Sequence, residues 1–206
     1  MRTSTLLALV WLSGCRTVAA GVVERADALL ADYRNRTPPT WEAAADSAPR
    51  PWAPRQFTVY SRASEGRVVL ERVSIRRGRG DDVRVAIDRL GGGDQLRVHL
   101  TLARQPTRRE ELAALVIEAW VTRGEGPEIH TLGAAPADVL SLAADTLISP
   151  PRDGAAETLV VPAGRFEGCV GGAHPLVPIS GVVRQRVGGD VRELLEFGDD
   201  NGGALF

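Results

Sequence analysis

The chain has 206 residues and a formal net charge of −1 at pH 7, with a sequence pI near 6.3. Its 25 basic residues are all arginine and are interspersed with 26 acidic ones, so it lacks the basic stripe that phosphate contacts require, which argues against a nucleic-acid partner. A chain of this length suits one domain that buries roughly 70% of its unfolded surface, with no need of disulfides or metals.

The chain opens with Arg2 and an uninterrupted apolar run, Leu6 to Leu12, followed by Ser13, Gly14 and Cys15. These are the charged, apolar and small-residue zones of a secretory signal. The run is far short of the ~20 apolar residues that span a bilayer. Leu12-Ser13-Gly14-Cys15 resembles the lipobox of bacterial lipoproteins. That resemblance implies removal of residues 1–14, acylation of Cys15, and a membrane partner reached through the lipid anchor. Arg16 stands where aspartate signals inner-membrane retention, so the resemblance points to the outer membrane, facing the periplasm.

Val22 to Arg36 reads as a helix, with Ala26, Leu29, Leu30 and Tyr33 on one face, stopped by Pro38-Pro39. Residues 37–55, rich in proline and alanine, read as an extended connector pinned by Trp41 and Trp52. From Gln56 the period becomes two. Phe57 to Arg62, Arg67 to Arg77, Val83 to Asp88 and Leu96 to Leu102 read as four strands joined by short glycine-containing turns. Connections this short make an antiparallel meander. One face is apolar and the other rich in arginine, which predicts a half-buried sheet.

Thr107 to Glu110 has capping-box spacing before a short helical turn at Leu112 to Leu115. Val116 to Arg123 and Glu128 to Leu132 read as strands, and Ala137 to Ile148 as a helix with Val139, Leu140, Ala143 and Leu147 on one side. Two hairpins follow, around Pro162-Ala163-Gly164 and around Gly188-Gly189-Asp190. The expected fold is therefore α+β: a curved, mostly antiparallel sheet of about ten strands, forming an incomplete barrel covered by two or three helices. The expected organisation is a leader over 1–14, a lipidated N-terminus with helix and connector over 15–55, the half-barrel over 56–198, and a polar tail over 199–206.

Four stretches carry a family resemblance: Pro51 to Tyr60, Val160 to Cys169, Val177 to Val183 and Glu193 to Gly198. They are similar to segments of a group of proteobacterial lipoproteins of unknown function, related in architecture to the lipoprotein-localisation factors LolA and LolB. The resemblance implies an incomplete antiparallel barrel closed by helices over an apolar cavity. Arg55 stands where that group usually has glycine, and Phe57 where it has tryptophan. No catalytic residue is implied.

The chemistry-bearing residues are few. His99, His130 and His174 have no metal-ligand spacing, and no glycine-x-serine-x-glycine elbow or phosphate loop occurs. The sequence therefore predicts no enzyme activity, no metal and no cofactor. With Cys15 acylated, Cys169 has no disulfide partner and is expected to be buried, although period two sets it opposite Phe166. Val73, Ile75, Val83, Val85, Ile87, Leu96, Val98 and Leu100 alternate toward one side of the sheet. Either they line a cavity for a lipid or other hydrophobic ligand, or they form a filled core. In the second case the chain is a structural module or binds another envelope protein.

Overall fold

A computed structural model of the chain describes residues 21–43, 47–64, 66–92, 94–187 and 189–199. Leu12, Ser13, Gly14 and Cys15 lie outside the described residues, as does the tail from residue 200. The elements in chain order are helix α1 (residues 21–35) and strands β1 (Thr40–Glu42), β2 (Phe57–Ser64), β3 (Arg67–Arg77), β4 (Val83–Gly91) and β5 (Asp94–Leu102). A 3-10 turn (Arg109–Glu111) then leads into helix α2 (Leu112–Leu115), strands β6 (Val116–Arg123) and β7 (Ile129–Leu132), and helix α3 (Ala137–Leu147). Strands β8 (Glu157–Val161), β9 (Gly164–Cys169), β10 (Arg184–Val187) and β11 (Asp190–Gly198) follow among the described residues.

The expected α+β class and open antiparallel sheet are what the chain adopts. Eight strands form the main sheet in the order β10-β11-β2-β3-β4-β5-β6-β7, antiparallel throughout and not closed into a barrel. A second sheet of three strands, β1-β9-β8, has β1 parallel to β9. The connector is thus not merely extended. Trp41 donates its indole N–H to the Ala163 carbonyl (3.1 Å) and packs between Phe166 and Phe197, which seats β1 beside β9.

The two faces of the main sheet differ in cover. On the inner face, α2 and α3 pack across β3 to β6, and the small sheet packs across β2 and β11 through Tyr60 and Leu194. On the outer face, the expectation of a solvent-facing surface holds only in part. Val22, Ala26, Leu30 and Tyr33 of α1 cover Phe57, Val59, Leu70, Leu90 and Leu195. Arg72 and Asp88, outer-face residues beside that cover, are buried in consequence.

Local chemistry explains the remaining departures. The capping side chain is Glu111, not Glu110: it accepts from the backbone N–H of Arg108 at 2.8 Å, from that of Thr107, and from the Thr107 hydroxyl, and it pairs with Arg104. Those partners, Arg104 first, pull its carboxyl down to about 2. Arg55 has φ 77°, the left-handed conformation that glycine adopts most readily. Cys169 shares the buried face of Phe166 because of a bulge. The register shifts between Glu157 and Thr158, and Gly168 at φ 84° supplies the turn that resets the alternation.

Two outcomes follow. Gly164 has φ 150°, and a Cβ there would lie 2.5 Å from the Trp41 indole nitrogen and 2.7 Å from the Pro39 carbonyl. Gly164→Ala is expected to expel Trp41 and destabilise the protein by about 2 kcal/mol or more, seen as a lowered urea midpoint. Cys169 is fully buried, and burial, then the Glu157 charge, pushes its thiol up to about 11. A bulky maleimide should label it only after denaturant is added; rapid labelling of the folded chain is the contrary result.

Candidate functional site

The eight positions expected to line a cavity face α3. Val73, Ile75, Val85, Ile87, Val98 and Leu100 are each at most 2% exposed, Leu96 is buried, and Val83 packs on the same cluster. Val139, Leu142, Ala143, Ala144 and Leu147 of α3 fill the space above them. Leu142 and Thr146 join the buried side of α3, whereas Leu140 is only half-buried. These strand and helix side chains together form one buried cluster.

The inner face carries one charged centre that the sequence reading passed over. Glu71 lies between Val69 and Val73 on the apolar side of β3 and is 1% exposed. One carboxylate oxygen accepts from Arg192 (2.8 Å) and from the Thr146 hydroxyl (3.2 Å); the other accepts from Arg89 (2.8 Å). Burial alone would raise this carboxyl, but Arg192 and Arg89 outweigh it and hold it below its ordinary value. The Arg192 guanidinium also sits 3.7 Å from the Tyr60 ring centroid and donates to the Asp145 carbonyl of α3. Its neighbours are matched too: Arg62 with Asp190, Arg109 with Asp145, and Arg123 with Asp138. Most charges lining the hollows at this end of the sheet are paired, Arg67 being the exception among the described residues.

The outer face beyond α1 is different. A groove of about 360 Å³ runs across β3, β4, β5 and β6, lined by Arg76, Arg84, Ala86, His99, Thr101, Glu118 and Trp120. The strand registers place these residues in two adjacent rows. One reads Ala86, His99, Trp120, His130; the other reads Arg76, Arg84, Thr101, Glu118. Ala86 and Thr101 are short, so the floor drops between arginines at one end and an aromatic wall at the other. His130 stacks on Trp120 with centroids 3.7 Å apart and planes 7° from parallel, and its Nε2 lies 2.8 Å from Glu118 Oε1. Among the described residues neither Arg76 nor Arg84 has a carboxylate partner. Burial, offset in part by Asp88, lowers the His99 pKa, with Arg76 and Arg97 acting in the same direction.

The sequence shows His99 and His130 only as isolated histidines, whereas the fold sets His130 with Trp120 and Glu118 in one wall. Cross-strand register brings them together, and no spacing in the sequence encodes it. His174 lies elsewhere, fully buried against Phe166 with Nε2 3.1 Å from the Glu167 carbonyl. Trp52 anchors the loop before β2 by donating to the Ile179 carbonyl (3.1 Å). No group of three or more metal-ligating side chains occurs among the described residues, and none of their helices is long and apolar enough to cross a membrane. No protein-family model matches the chain, and neither a curated protein nor a solved structure is significantly similar to it.

The Glu71 centre yields a pH-dependent outcome. Because its folded pKa lies below the ordinary carboxylate value of ~4.3, its contribution is complete above that value. It is lost as pH falls through the depressed folded value. Glu71→Ala leaves Arg192 buried without its anion and should cost roughly 3–5 kcal/mol near neutral pH. In urea melts at several pH values, the gap between wild type and Glu71→Ala should narrow as the pH drops below about 4. A gap that stays constant with pH contradicts the assignment.

Proposed function

We propose that this chain is a lipid-anchored, non-enzymatic protein of the bacterial envelope that acts through its surface rather than as a carrier of lipid in its interior. The anchor is Cys15, and the outer membrane is its site, with the folded domain facing the periplasm. The observation that carries the surface reading is the cover of the inner face. The positions offered as cavity lining lie in one cluster with the apolar side of α3, all of them buried except the partly buried Val83. A hydrophobic ligand could enter only by displacing that helix, whose buried apolar side chains are each worth roughly 1.5–3 kcal/mol. The open sheet with helices on its inner face is the general architecture that the LolA and LolB resemblance implies, here read with the cavity closed up. The interior charges support a non-catalytic reading, since Glu71 is committed to two arginines and the Cys169 thiol is pushed away from its reactive form.

Two measurements test the proposal. Wild-type protein should take up a palmitate analogue and fractionate with membranes, and Cys15→Ser should abolish the label and shift the chain to the soluble fraction. An environment-sensitive fluorescent fatty acid should show no saturable binding to the purified protein. Val98→Phe, which overfills the cluster, should lower stability by about 1–3 kcal/mol. A soluble, unlabelled wild type overturns the anchor; saturable fatty-acid binding that Val98→Phe removes overturns the filled core.

A further inference from the structure

The outer-face groove carries an energetic anomaly. Arg76 and Arg84 are directly opposed on β3 and β4, a like-charge pair that destabilises a sheet. Other sheet arginines face an acid: Arg97 with Asp88 on the same outer face, Arg89 with Glu71, Arg184 with Glu193. At Arg76 and Arg84 two exposed guanidiniums stand together with no carboxylate partner among the described residues. The one acid in the groove, Glu118, is engaged by His130.

Shape supports the same direction. Short side chains at Ala86 and Thr101 leave a depression large enough for one sugar-sized ring. The wall opposite the arginines is the Trp120 indole, only half-buried, with one face covered by His130. The stack fixes the indole plane, so that wall is preorganised before any ligand arrives. His99 and Thr101, between the two ends, make no side-chain hydrogen bond among the described residues and so remain available as neutral donors and acceptors.

We propose that the groove between Arg76–Arg84 and Trp120 binds an anionic group carried on a saccharide-sized ring. Arg76 and Arg84 hold the phosphate or carboxylate in forked hydrogen bonds, His99 and Thr101 meet hydroxyls on the ring, and Trp120 packs its apolar side. Two sources supply that chemistry, phosphorylated sugars and uronic acids, and both present the same features to the groove. The inference rests on the surface-binding reading above.

Titration calorimetry on the purified full chain at low salt tests it, with glucose 6-phosphate, glucuronate, glucose and inorganic phosphate as separate probes. Glucose 6-phosphate, glucuronate or both should bind at least tenfold more tightly than either glucose or phosphate; the stronger of the two assigns the source. The double variant Arg76→Gln/Arg84→Gln should weaken the ring anions at least tenfold, and Trp120→Leu should weaken them while leaving the response to phosphate unchanged. Both arginines are exposed, so the double variant should fold, and relief of repulsion should raise its Tm above that of the wild type. A lowered Tm, no binding of either ring anion, binding unaffected by the double variant, or phosphate binding as tightly as glucose 6-phosphate each overturns the proposal. Saturable fatty-acid binding in the core is the separate result that overturns the reading beneath it, and none of the groove variants touches that core.

Discussion

The buried Glu71 carboxylate constrains more of this molecule than any other single group. It stands at an inward position of β3, where period two calls for an apolar residue, and its charge is tolerable there only with opposite charges beside it. Arg89 comes from the neighbouring strand β4, but Arg192 comes from β11, on the far side of β2. The sheet must therefore run β11-β2-β3-β4 in one register for both guanidiniums to arrive. Arg192 carries the constraint into the next layer through the Asp145 carbonyl near the C-terminal end of α3, where a cation also complements the helix dipole. A buried ion pair of this kind adds little net stability over apolar side chains of the same volume. What it fixes is which strand sits where, and how α3 lies across them.

That arrangement decides the fate of the inner face. With the end of α3 held at Arg192, its apolar side falls across β3 to β6, and Val139, Ala143 and Leu147 meet the inward valines and leucines. The small residues of α3, Ala143 and Ala144, let the helix approach closely. A sheet open at both edges could have left a cleft between its curve and its helices. Here small-on-large packing closes it, and the low aromatic content of the chain, 5%, is sufficient for the purpose.

The legibility of the chain follows the range of the forces involved. Meander strands, both glycine-marked hairpins, α1 and α3 rest on local periodicity and turn chemistry, and these were readable to within about three residues. β1 was not, because three residues in a proline-rich stretch become a strand only through Trp41 meeting Gly164, more than a hundred positions away. The bulge at Gly168 defeats a strict count of two and explains why alternation alone put Cys169 on the wrong side. The partial cover of the outer face was missed for a related reason. The apolar stripe of α1 was visible, but the sequence does not say which face of the sheet receives it. Glu71 did leave a signal, a carboxylate set between inward valines, and such a break in an otherwise apolar face points to a partner of opposite charge. The groove left none, since Arg76, Arg84, His99, Glu118 and Trp120 come together only through the register of four strands.

The outer face is thus divided between two uses by the length of one helix. Pro38-Pro39 ends the helical segment after its apolar stripe has covered β2, β3 and part of β4, and the arginine-rich remainder of the face is left bare. In the proposed anchored form, five residues separate Cys15 from the first described position of α1, a reach of at most about 20 Å. Were Cys15 acylated, a tether this short would hold the N-terminal end of α1 near the bilayer; α1 lies on the same face of the sheet as the groove. So anchored, the domain would sample ligands at the membrane surface rather than across the width of the periplasm. A filled core suits that position. Without an apolar cavity the fold gives up nothing by staying at one membrane, whereas a lipid carrier must leave the donor membrane with its cargo shielded from water.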